Sequence, residues 1–567
     1  MILRRTFLSL LLSSALVVSA CSRPAGEPPR VPSEAPATHR QAAVAMPDHY
    51  GAEVAEQILE SGGNAVDAAI AAGFALAVTF PEAGNIGGGG FMLIHMDGED
   101  AFLDYREKAP LAADRDMYLD ENGDPIAEAS LIGHLSVGVP GTVAGFWAAH
   151  QRYGTLPWRD LVRPAVKLAQ DGFVVPDKLG GGMLSSLESY KGKTNFADYF
   201  GSMKSGQNFR QPELAATLER IAEQGPDDFY GGETAQLIVT EMARGNGLVT
   251  LADLAQYEAR WREPLRASWR GYQVVSAPPP SSGGFALIQL LKMKDIDEHY
   301  FAGVAHNSAE YVHLVAELEK RVFADRAEYL GDPDFVDNRM QELLSDDYLR
   351  ARAAEIDPDK ISMNVGSGVG LEVHDTTHYS ILDRWGNAVS NTYTLNLGFG
   401  SGVVVEGAGF LLNDEMDDFS VKPGVPNIYG VIGSEANEIQ PEKRMLSSMT
   451  PTILLKDGNV AMVVGTPGGS TIFTSVFQTI VNIVEFGMTP LAATDAARFH
   501  HQLLPPDEIM VGPSRPLPEE TVSRLQDRGY RIVNIWDFGD MQVIYDDGEH
   551  VSAASDPRHR GEAKVID

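Results

Sequence analysis

The chain has 567 residues, of which 44% are hydrophobic and 22% charged, and this composition is that of a folded globular protein rather than a disordered chain. Its formal net charge of −33 argues against a nucleic-acid-binding protein and against adhesion to an anionic bilayer, because both need a basic face. The single cysteine excludes an internal disulfide framework and a cysteine-based zinc site.

The N-terminus has the pattern of a secretory signal. Arg4 and Arg5 precede an apolar stretch at residues 7–18, which is too short for a bilayer span of about 20 residues. The only cysteine, Cys21, follows Val-Ser-Ala as in the bacterial lipobox, where the cysteine is lipidated and becomes the new N-terminus. The alternative is an ordinary signal peptide that a cysteine follows by chance.

We interpret residues 1–20 as a lipoprotein signal peptide. Residues 21–40, which are rich in Pro, Ala and Glu, are interpreted as a flexible tether. The sequence therefore predicts an exported protein that is lipid-anchored on the periplasmic side of a bacterial envelope, with a folded body that begins near residue 41.

The first predicted helix of the body covers residues 68–78. Asn64 is suited to cap it, and the carboxylate of Asp67, three residues on, favours the helix dipole. The residues of this helix are small and apolar, which indicates burial, and Pro81 ends it. Two strands are predicted next, at residues 91–95 and 101–105.

Residues 143–328 are predicted to be mostly helical, most clearly at 156–170 and 309–329. The pattern then changes, and further strands are predicted at residues 376–382, 388–395, 452–455 and 460–464, followed by a helix at 473–486. Strands near both ends of the body with helices between them predict an α/β fold of packed layers.

Two groups of residues have the types found in phosphate or metal sites but are interpreted as structural. The four glycines at residues 87–90 are not followed by Lys and Ser or Thr, so a P-loop is rejected. His306, Glu310 and His313 have a spacing that can bind metal on a helix, but we interpret them as a solvated helix face.

The first two strands of the C-terminal third are predicted to form a hairpin with residues 384–387 as its turn. The register places Thr376 opposite Leu395, within a residue or two, and beside Thr394 and Asn396. Two threonines and an asparagine would then meet at one end of a ribbon. Taken alone this arrangement is more often structural, because threonine is common in strands.

Seven short segments of the body carry a resemblance to a known family. They are GGNAVDAA (62–69), GGGGFM (87–92), DYREKAP (104–110), TTHYS (376–380), LLNDEMDDF (411–419), MLSSMTPT (445–452) and GTPGGS (465–470). In this order and spacing they resemble the gamma-glutamyltransferase (glutathione hydrolase) family of N-terminal-nucleophile hydrolases. The resemblance covers the chain from about residue 40 to the C-terminus.

The resemblance implies a four-layer αββα sandwich, built from two chains after a zymogen cleaves itself. Cleavage would break the bond between Asp375 and Thr376 and separate a large subunit, with its body at residues 41–375, from a small catalytic subunit at 376–567. The Thr376 hydroxyl would attack the preceding carbonyl, and the resulting ester would be hydrolysed.

The resemblance also implies the catalytic residues. The freed Thr376 would be the nucleophile, and its own α-amine, with a reference pKa of about 7.7–8.0, suits a general base at neutral pH. Thr394 would orient Thr376 by a hydrogen bond. Gly468 and Gly469 would offer backbone N–H groups to the oxyanion, although by themselves they indicate only a glycine turn.

The substrate-binding residues implied by motif position are Arg106, Asn396, Glu415, Asp418, Ser447 and Ser448. A guanidinium fork would hold the α-carboxylate of a γ-glutamyl group together with the serine hydroxyls, and the acidic and amide groups would accept from its ammonium. Without the family, Arg106 would be interpreted as a surface ion-pair residue and residues 417–418 as a solvated acidic pair. Residues 423–441, which contain Tyr429, match the family's lid loop; the generic interpretation is a surface loop.

We therefore expect an autoprocessed γ-glutamyl hydrolase and transpeptidase that needs no cofactor or metal. It would cleave glutathione and related compounds through a γ-glutamyl-threonine ester and pass the group to water, an amino acid or a peptide. One alternative is an acylase of the same superfamily acting on another amide, such as a glutaryl-type β-lactam side chain. A second is a lipoprotein that keeps the fold as a binding module. Arg106, Asp418 and the two serines favour an amino-acid head group, which a plain acyl substrate lacks.

Overall fold

The computed structural model describes residues 41–363, 376–422 and 434–567. The predicted signal peptide and Cys21, Asp375 and Tyr429 lie outside the described residues. The proposed division of the chain at residue 375 therefore stays a prediction.

Most of the strands that position the site belong to two antiparallel sheets. In chain order the strands are β1 Ala42–Met46, β2 Gly89–Met96, β3 Glu99–Asp104, β4 Phe173–Val174, β5 Asn208–Phe209, β6 Arg260–Arg262, β7 Leu265–Trp269, β8 Tyr272–Ser276, β9 Thr376–Leu382, β10 Ala388–Thr394, β11 Thr452–Lys456, β12 Asn459–Gly465, β13 Phe499–His500, β14 Glu508–Val511, β15 Arg531–Asn534, β16 Gln542–Asp546, β17 Val551–Ser555 and β18 Glu562–Ile566.

The first sheet has seven strands in the order β18-β1-β9-β10-β2-β3-β6, and the second has six in the order β17-β16-β12-β11-β8-β7. An apolar layer fills the space between them, with Phe91 and Leu93 of β2 meeting Ile453 of β11 and Val463 of β12. The sheets are also joined by polar contacts, since the Ser390 hydroxyl of β10 donates to the carbonyl of Val464 in β12 at 3.2 Å.

Helices cover the outer faces of both sheets. In chain order they are α1 His49–Glu60, α2 Ala65–Thr79, α3 Thr142–Tyr153, α4 Trp158–Asp171, α5 Asp177–Tyr190, α6 Phe196–Phe200, α7 Pro212–Gln224, α8 Pro226–Gly231, α9 Glu233–Arg244, α10 Leu251–Ala255, α11 Gly283–Ile296, α12 Glu298–Phe301, α13 Ala309–Tyr329, α14 Met340–Leu343, α15 Asp346–Ala353, α16 Thr471–Val484, α17 Pro490–Asp495 and α18 Glu519–Arg528. None of these helices has the length and hydropathy of a membrane span.

The helices pack in two layers. Apolar residues of α1 to α4 pack with those of the first sheet, and apolar residues of α11, α13 and α16 pack with those of the second. Each of the two sheets therefore packs against the other sheet on one face and against helices on its opposite face. This is the αββα arrangement that the resemblance implies.

Local sequence signals locate several elements correctly. The Asn64 side chain accepts from the amides of Val66 and Asp67, and Asp67 completes a capping box, so the predicted cap of α2 is confirmed. The helix predicted at residues 309–329 is α13 with the same bounds. All residues of α2 are buried, as its composition indicates.

The stretch predicted to be mostly helical is confirmed as such, and it also contains the short strands β4 to β8, which were not predicted. In β7, exposure alternates with the period of two that a strand requires. One expectation is wrong. His313 does not lie on a solvated helix face: it is buried, and its ring nitrogens contact the Tyr530 hydroxyl at 2.8 Å and the Asp357 carbonyl at 3.0 Å.

Candidate active site

The hairpin of β9 and β10 brings the two predicted catalytic threonines together. Thr376, the first residue of β9, is paired with Thr394, the last residue of β10. The predicted partner was Leu395, one residue further on. The difference arises at the turn, which spans Asp383–Asn387 because the Asp383 carboxylate accepts from the amides of Trp385 and Asn387, each at 2.9 Å.

A run of glycines lets the chain pass close to the end of β10. A Cβ atom on Gly88 would lie 2.1 Å from the carbonyl oxygen of Thr394, and one on Gly90 would lie 2.5 Å from that of Thr392. Side chains at these positions would clash with the backbone of β10. The glycines that resemble a phosphate loop in sequence therefore serve close strand packing.

Asn85, just before these glycines, holds Thr394 directly. Its side-chain amide donates to the Thr394 carbonyl at 2.8 Å, and its side-chain oxygen accepts from the Gly88 amide at 2.9 Å and the Thr142 hydroxyl at 2.7 Å. Asn85 is buried, so these bonds replace solvent. It was not among the predicted site residues.

A cavity lies at the end of the hairpin away from its turn. Nine residues predicted for the site line it: Arg106, Thr376, Thr394, Asn396, Glu415, Asp418, Ser447, Ser448 and Gly469. Gly468 does not line the cavity itself but precedes Gly469. Three residues that were not predicted complete the wall, namely Arg326, Met449 and Ile472.

Arg106 is the central cation of this cavity, and it is only 1% exposed. Its guanidinium pairs with Asp418, lies 2.6 Å from a carboxyl oxygen of Glu415, and lies 3.7 Å from one of Glu107. The interpretation of Arg106 as a surface ion-pair residue is therefore wrong. Asp417 and Asp418 do not form a solvated acidic pair either, because Asp417 is buried.

Burial and charge shift the protonation of this cluster. Burial opposes the charged form of Arg106, but the carboxylates of Glu415, Asp418 and Glu107 outweigh it and raise the pKa of the guanidinium. Burial raises the pKa of Glu107 to about 8, although Arg106 acts to lower it. Burial also raises the pKa of Glu415 well above its usual value. Near neutral pH, Glu107 therefore favours its neutral form, while for Glu415 burial opposes the charged form and Arg106 favours it.

The chain turns sharply after β10. Asn396 has a φ of +86°, and its amide N–H donates to the Thr394 hydroxyl at 2.8 Å. Its side-chain amide donates to the carbonyl of Asp414 at 3.0 Å. Because the side-chain amide of Asn396 donates to Asp414, its side-chain oxygen is the group that can accept a hydrogen bond from a ligand.

Ser447 and Ser448 contribute two hydroxyl groups to the wall. The Ser447 hydroxyl oxygen accepts from the Met449 amide at 3.1 Å, and the Ser448 hydroxyl oxygen accepts from Arg326 at 3.1 Å. Arg326 lies near the end of α13, the helix predicted at residues 309–329. That helix is buried along most of its length, including several charged residues, so its sequence pattern does not mark Arg326 as a site residue.

Gly468 and Gly469 form the turn between β12 and α16. Their φ angles are +131° and +57°, a region that favours glycine, and a Cβ atom on Gly468 would lie 2.5 Å from the Thr471 hydroxyl oxygen. Their carbonyls accept from the amides of Thr471 and Ile472. Neither glycine amide donates to another backbone group among the described residues, so both are suited to bind an anion.

The site thus combines a hydroxyl nucleophile candidate, a buried guanidinium among carboxyl groups, two serine hydroxyls and a turn whose two glycine amides donate to no other backbone group of the described residues. Such a set can bind a small zwitterion and stabilise an oxyanion beside Thr376. Within residues 41–363, 376–422 and 434–567 there is no cluster of side chains suited to hold a metal ion.

Comparisons with known proteins agree with this geometry. The sequence profile of the family described as Gamma-glutamyltranspeptidase matches residues 51–566. The glutathione hydrolase proenzyme of Pseudomonas aeruginosa is 57% identical over 525 residues, which cover 92% of this chain and 94% of that protein.

Two solved structures are also similar. A gamma-glutamyltranspeptidase from Pseudomonas nitroreducens complexed with L-DON is 53% identical, with a TM-score of 0.55 over 59% of this chain and 97% of that chain. A cephalosporin acylase from Bacillus halodurans is 26% identical, with a TM-score of 0.80 over 95% of this chain and 98% of that chain.

Proposed function

The chain belongs to the gamma-glutamyltranspeptidase family, and from that membership we propose that Thr376, once freed as an N-terminal residue, is the nucleophile of its active site. The protein is a proenzyme that processes itself into two chains and acts as a glutathione hydrolase and γ-glutamyltransferase. The assignment of roles to individual residues is our proposal.

Self-cleavage comes first. The Thr376 hydroxyl attacks the carbonyl carbon of Asp375, the peptide nitrogen leaves as the amine of Thr376, and an ester joins the two residues. Water then hydrolyses this ester and releases the Asp375 carboxylate. The position of Thr376 supports this step, because it is the first residue of a buried strand, is paired with Thr394 and lines the cavity.

Catalysis by the mature enzyme uses the amine that cleavage has freed. With a pKa of about 7.7–8.0, the α-amine of Thr376 accepts the hydroxyl proton as the oxygen attacks the γ-amide carbonyl of the donor. The proton passes to the leaving amine, and a γ-glutamyl ester of Thr376 remains. Water or the amine of an acceptor then attacks the ester, with the same amine as the base.

The oxyanion of each tetrahedral intermediate is assigned to the turn after β12. Donors that are already oriented stabilise a developing charge without reorganisation. The backbone amides of Gly468 and Gly469 are such donors, and Gly469 lines the same cavity as Thr376.

The Arg106–Asp418 pair is the observation that carries the substrate assignment. Both side chains line the cavity, and they pair with each other. A γ-glutamyl head group has a carboxylate for Arg106 and an ammonium for Asp418, so both charges stay compensated when the ligand enters between them. Asn396 and Glu415 supply further acceptors, and Ser447 and Ser448 further donors.

The same pair argues against a glutaryl acylase. A glutaryl group has the carboxylate but no ammonium, so binding would separate Asp418 from Arg106 and leave a buried carboxylate without a counter-charge. The similarity to the cephalosporin acylase from Bacillus halodurans reflects the shared fold.

A gel and an amino-terminal sequence test the nucleophile. We expect the wild type to run as two chains with the small one beginning at Thr376, and Thr376→Ala to run as one chain and to leave γ-glutamyl p-nitroanilide intact. Thr377→Ala is the matched control, because the Thr377 hydroxyl has no hydrogen-bond partner among the described residues, and it should be cleaved and active. A small chain that begins elsewhere, or cleavage of Thr376→Ala, would contradict the proposal.

We further propose that the enzyme is exported and anchored by a lipid on Cys21. The lipobox pattern and the position of the only cysteine support this. In a Gram-negative host, labelled palmitate should be incorporated into the wild type and not into Cys21→Ser, and the variant should leave the membrane fraction. Equal labelling of both proteins would contradict the anchor without bearing on the catalytic proposal.

A further inference from the structure

Arg326 is a second buried arginine on the wall of the active-site cavity, and its exposed fraction is 6%. It lies in α13, on the part of the chain before residue 376. Arg106 pairs with carboxyl groups, and Arg326 donates hydrogen bonds to two serine hydroxyls. A guanidinium has five N–H donors and no acceptor, so a hydroxyl group bonded to it must accept with its oxygen and point its proton elsewhere.

Arg326 contacts one serine of the cavity wall, Ser448, directly and the other, Ser447, through Ser282. One terminal nitrogen donates to the Ser448 hydroxyl oxygen at 3.1 Å, and its Nε donates to the Ser282 hydroxyl oxygen at 3.0 Å. The amide and the hydroxyl of Ser282 both donate to the carbonyl oxygen of Ser447, each at 2.8 Å. A single side chain thus fixes the hydroxyl of one serine and, through Ser282, the backbone of the other.

The direction of these bonds determines what the serines can offer. A hydroxyl group has one proton, and its oxygen can accept. The Ser448 oxygen accepts from Arg326, so its O–H cannot point at the guanidinium. The Ser447 oxygen accepts from the Met449 amide at 3.1 Å. Neither hydroxyl donates to another residue of the described part of the chain, and both line the cavity.

We propose that Arg326 is a positioning residue that turns the hydroxyls of Ser447 and Ser448 into preoriented donors for the α-carboxylate of the γ-glutamyl donor. This inference rests on the proposed function. Arg326 acts through Ser448 and Ser282 and does not itself need to touch the substrate. Its contribution belongs to substrate binding, because the hydroxyls it orients face the head group and not the scissile amide.

The inference is tested with two donors that differ at one group. γ-Glutamyl p-nitroanilide has the α-carboxylate, whereas 4-aminobutyryl p-nitroanilide keeps the ammonium and the scissile amide but lacks that carboxylate. For Arg326→Met we expect KM for the first donor to rise about 10- to 100-fold, the range for losing hydrogen bonds to a charged group, with kcat within about threefold. The specificity constant kcat/KM for the second donor should stay within about threefold of wild type.

Two further variants separate positioning from a general structural role. Arg326→Lys keeps a cation and a donor and should recover part of the lost affinity. In the double variant Arg326→Met/Ser448→Ala, KM for the γ-glutamyl donor should exceed that of Ser448→Ala alone by at most about 10-fold. Only the contribution that Arg326 makes through Ser282 is then still lost, because the contribution through Ser448 is already absent. Equal losses on both donors, full additivity, or an unchanged KM would overturn the inference.

Self-cleavage into two chains reports that the variants fold. Should Arg326→Met fail to cleave, Ser282→Ala takes its place, because the Ser282 amide still donates to Ser447 when the hydroxyl is removed. We expect it to raise KM for the γ-glutamyl donor about 3- to 10-fold and to spare the second donor; no donor selectivity would overturn the inference. A wild type that is cleaved but inactive on γ-glutamyl p-nitroanilide would instead contradict the proposed function.

Discussion

The side-chain amide of Asn85 donates a 2.8 Å hydrogen bond to the carbonyl oxygen of Thr394, although the two residues are 309 positions apart in the chain. Asn85 precedes the glycine run that passes the end of β10. Its oxygen is occupied by the Gly88 amide and the Thr142 hydroxyl. The residue that we propose to orient the nucleophile is therefore held from the opposite subunit.

Replacing this donor by an acceptor should misplace Thr394. In Asn85→Asp, a carboxylate oxygen would face the carbonyls of Ala83 and Thr394, to which the amide now donates. We expect kcat for γ-glutamyl p-nitroanilide to fall about 10- to 100-fold, since small misplacements of catalytic groups have effects of this size. Asn534→Asp, at the exposed end of β15, is the matched control and should keep wild-type kcat. Wild-type kcat in Asn85→Asp would show that the bond does not matter for catalysis.

Gly88, whose amide donates to the Asn85 side chain, should not tolerate a methyl group. In Gly88→Ala the new Cβ would meet the Thr394 carbonyl, which belongs to the backbone and cannot rotate away. We expect the free energy of unfolding to fall by about 1–3 kcal/mol and self-cleavage to slow, both measured on purified precursor. Gly182→Ala in α5 is the control, because no heavy atom lies within 4 Å of its Cβ position and alanine favours helices. A precursor of Gly88→Ala with wild-type stability and cleavage would contradict the packing argument.

The protonation of Glu415 predicts which substitutions the cavity accepts. Burial raises the pKa of Glu415 well above its usual value and so disfavours its charged form. Glu415→Gln, which has nearly the same shape and no charge, should therefore keep kcat/KM within about threefold. Asp418→Asn removes the proposed counter-charge of the substrate ammonium and should reduce kcat/KM more than about 100-fold. The measurement is kcat/KM of the two variants and the wild type under the same conditions. A loss above tenfold in Glu415→Gln would mean that Glu415 acts as a carboxylate.

Glu107 should make the precursor less stable as pH rises. Its pKa is raised from 4.5 to about 8 in the folded protein, so between these values the unfolded chain loses a proton that the folded chain keeps. The free energy of unfolding therefore falls with pH across this window, by at most about 1.4 kcal/mol per unit, and levels off above it.

Thermal unfolding of the uncleaved precursor isolates this contribution. With Thr376→Ala as the background, the precursor should lose Tm between pH 5 and 8 relative to the same protein with Glu107→Gln, which has no proton to release there. Parallel Tm curves for the two proteins over this range would contradict a raised pKa for Glu107.

Local patterns in the sequence account for much of the framework. The cap at Asn64 and the bounds of α13 depend on neighbouring residues, so sequence reasoning finds them. The hairpin register depends on a single turn and is predicted to within one residue. The strands β6 to β8 are missed because they lie in a polar stretch among helices, where their alternation is short.

The site itself depends on contacts between distant residues. Sequence spacing does not pair Arg106 with Asp418, 312 positions away, and the resemblance supplied both residues without predicting that they contact each other. Asn85 and Arg326 were missed for the same reason. The role of each depends on a partner that only the fold brings close: the Thr394 carbonyl for Asn85, and serine hydroxyls for Arg326.

The order of strands in the first sheet determines how the two cleavage products separate. β1 lies between β18 and β9, and β10 is paired with β2, so strands from before and after residue 375 are interleaved within one hydrogen-bonded sheet. The fragments cannot dissociate without breaking backbone hydrogen bonds between strands of this shared sheet. Dilution should therefore not dissociate the mature enzyme, and the loss of one fragment should coincide with global unfolding.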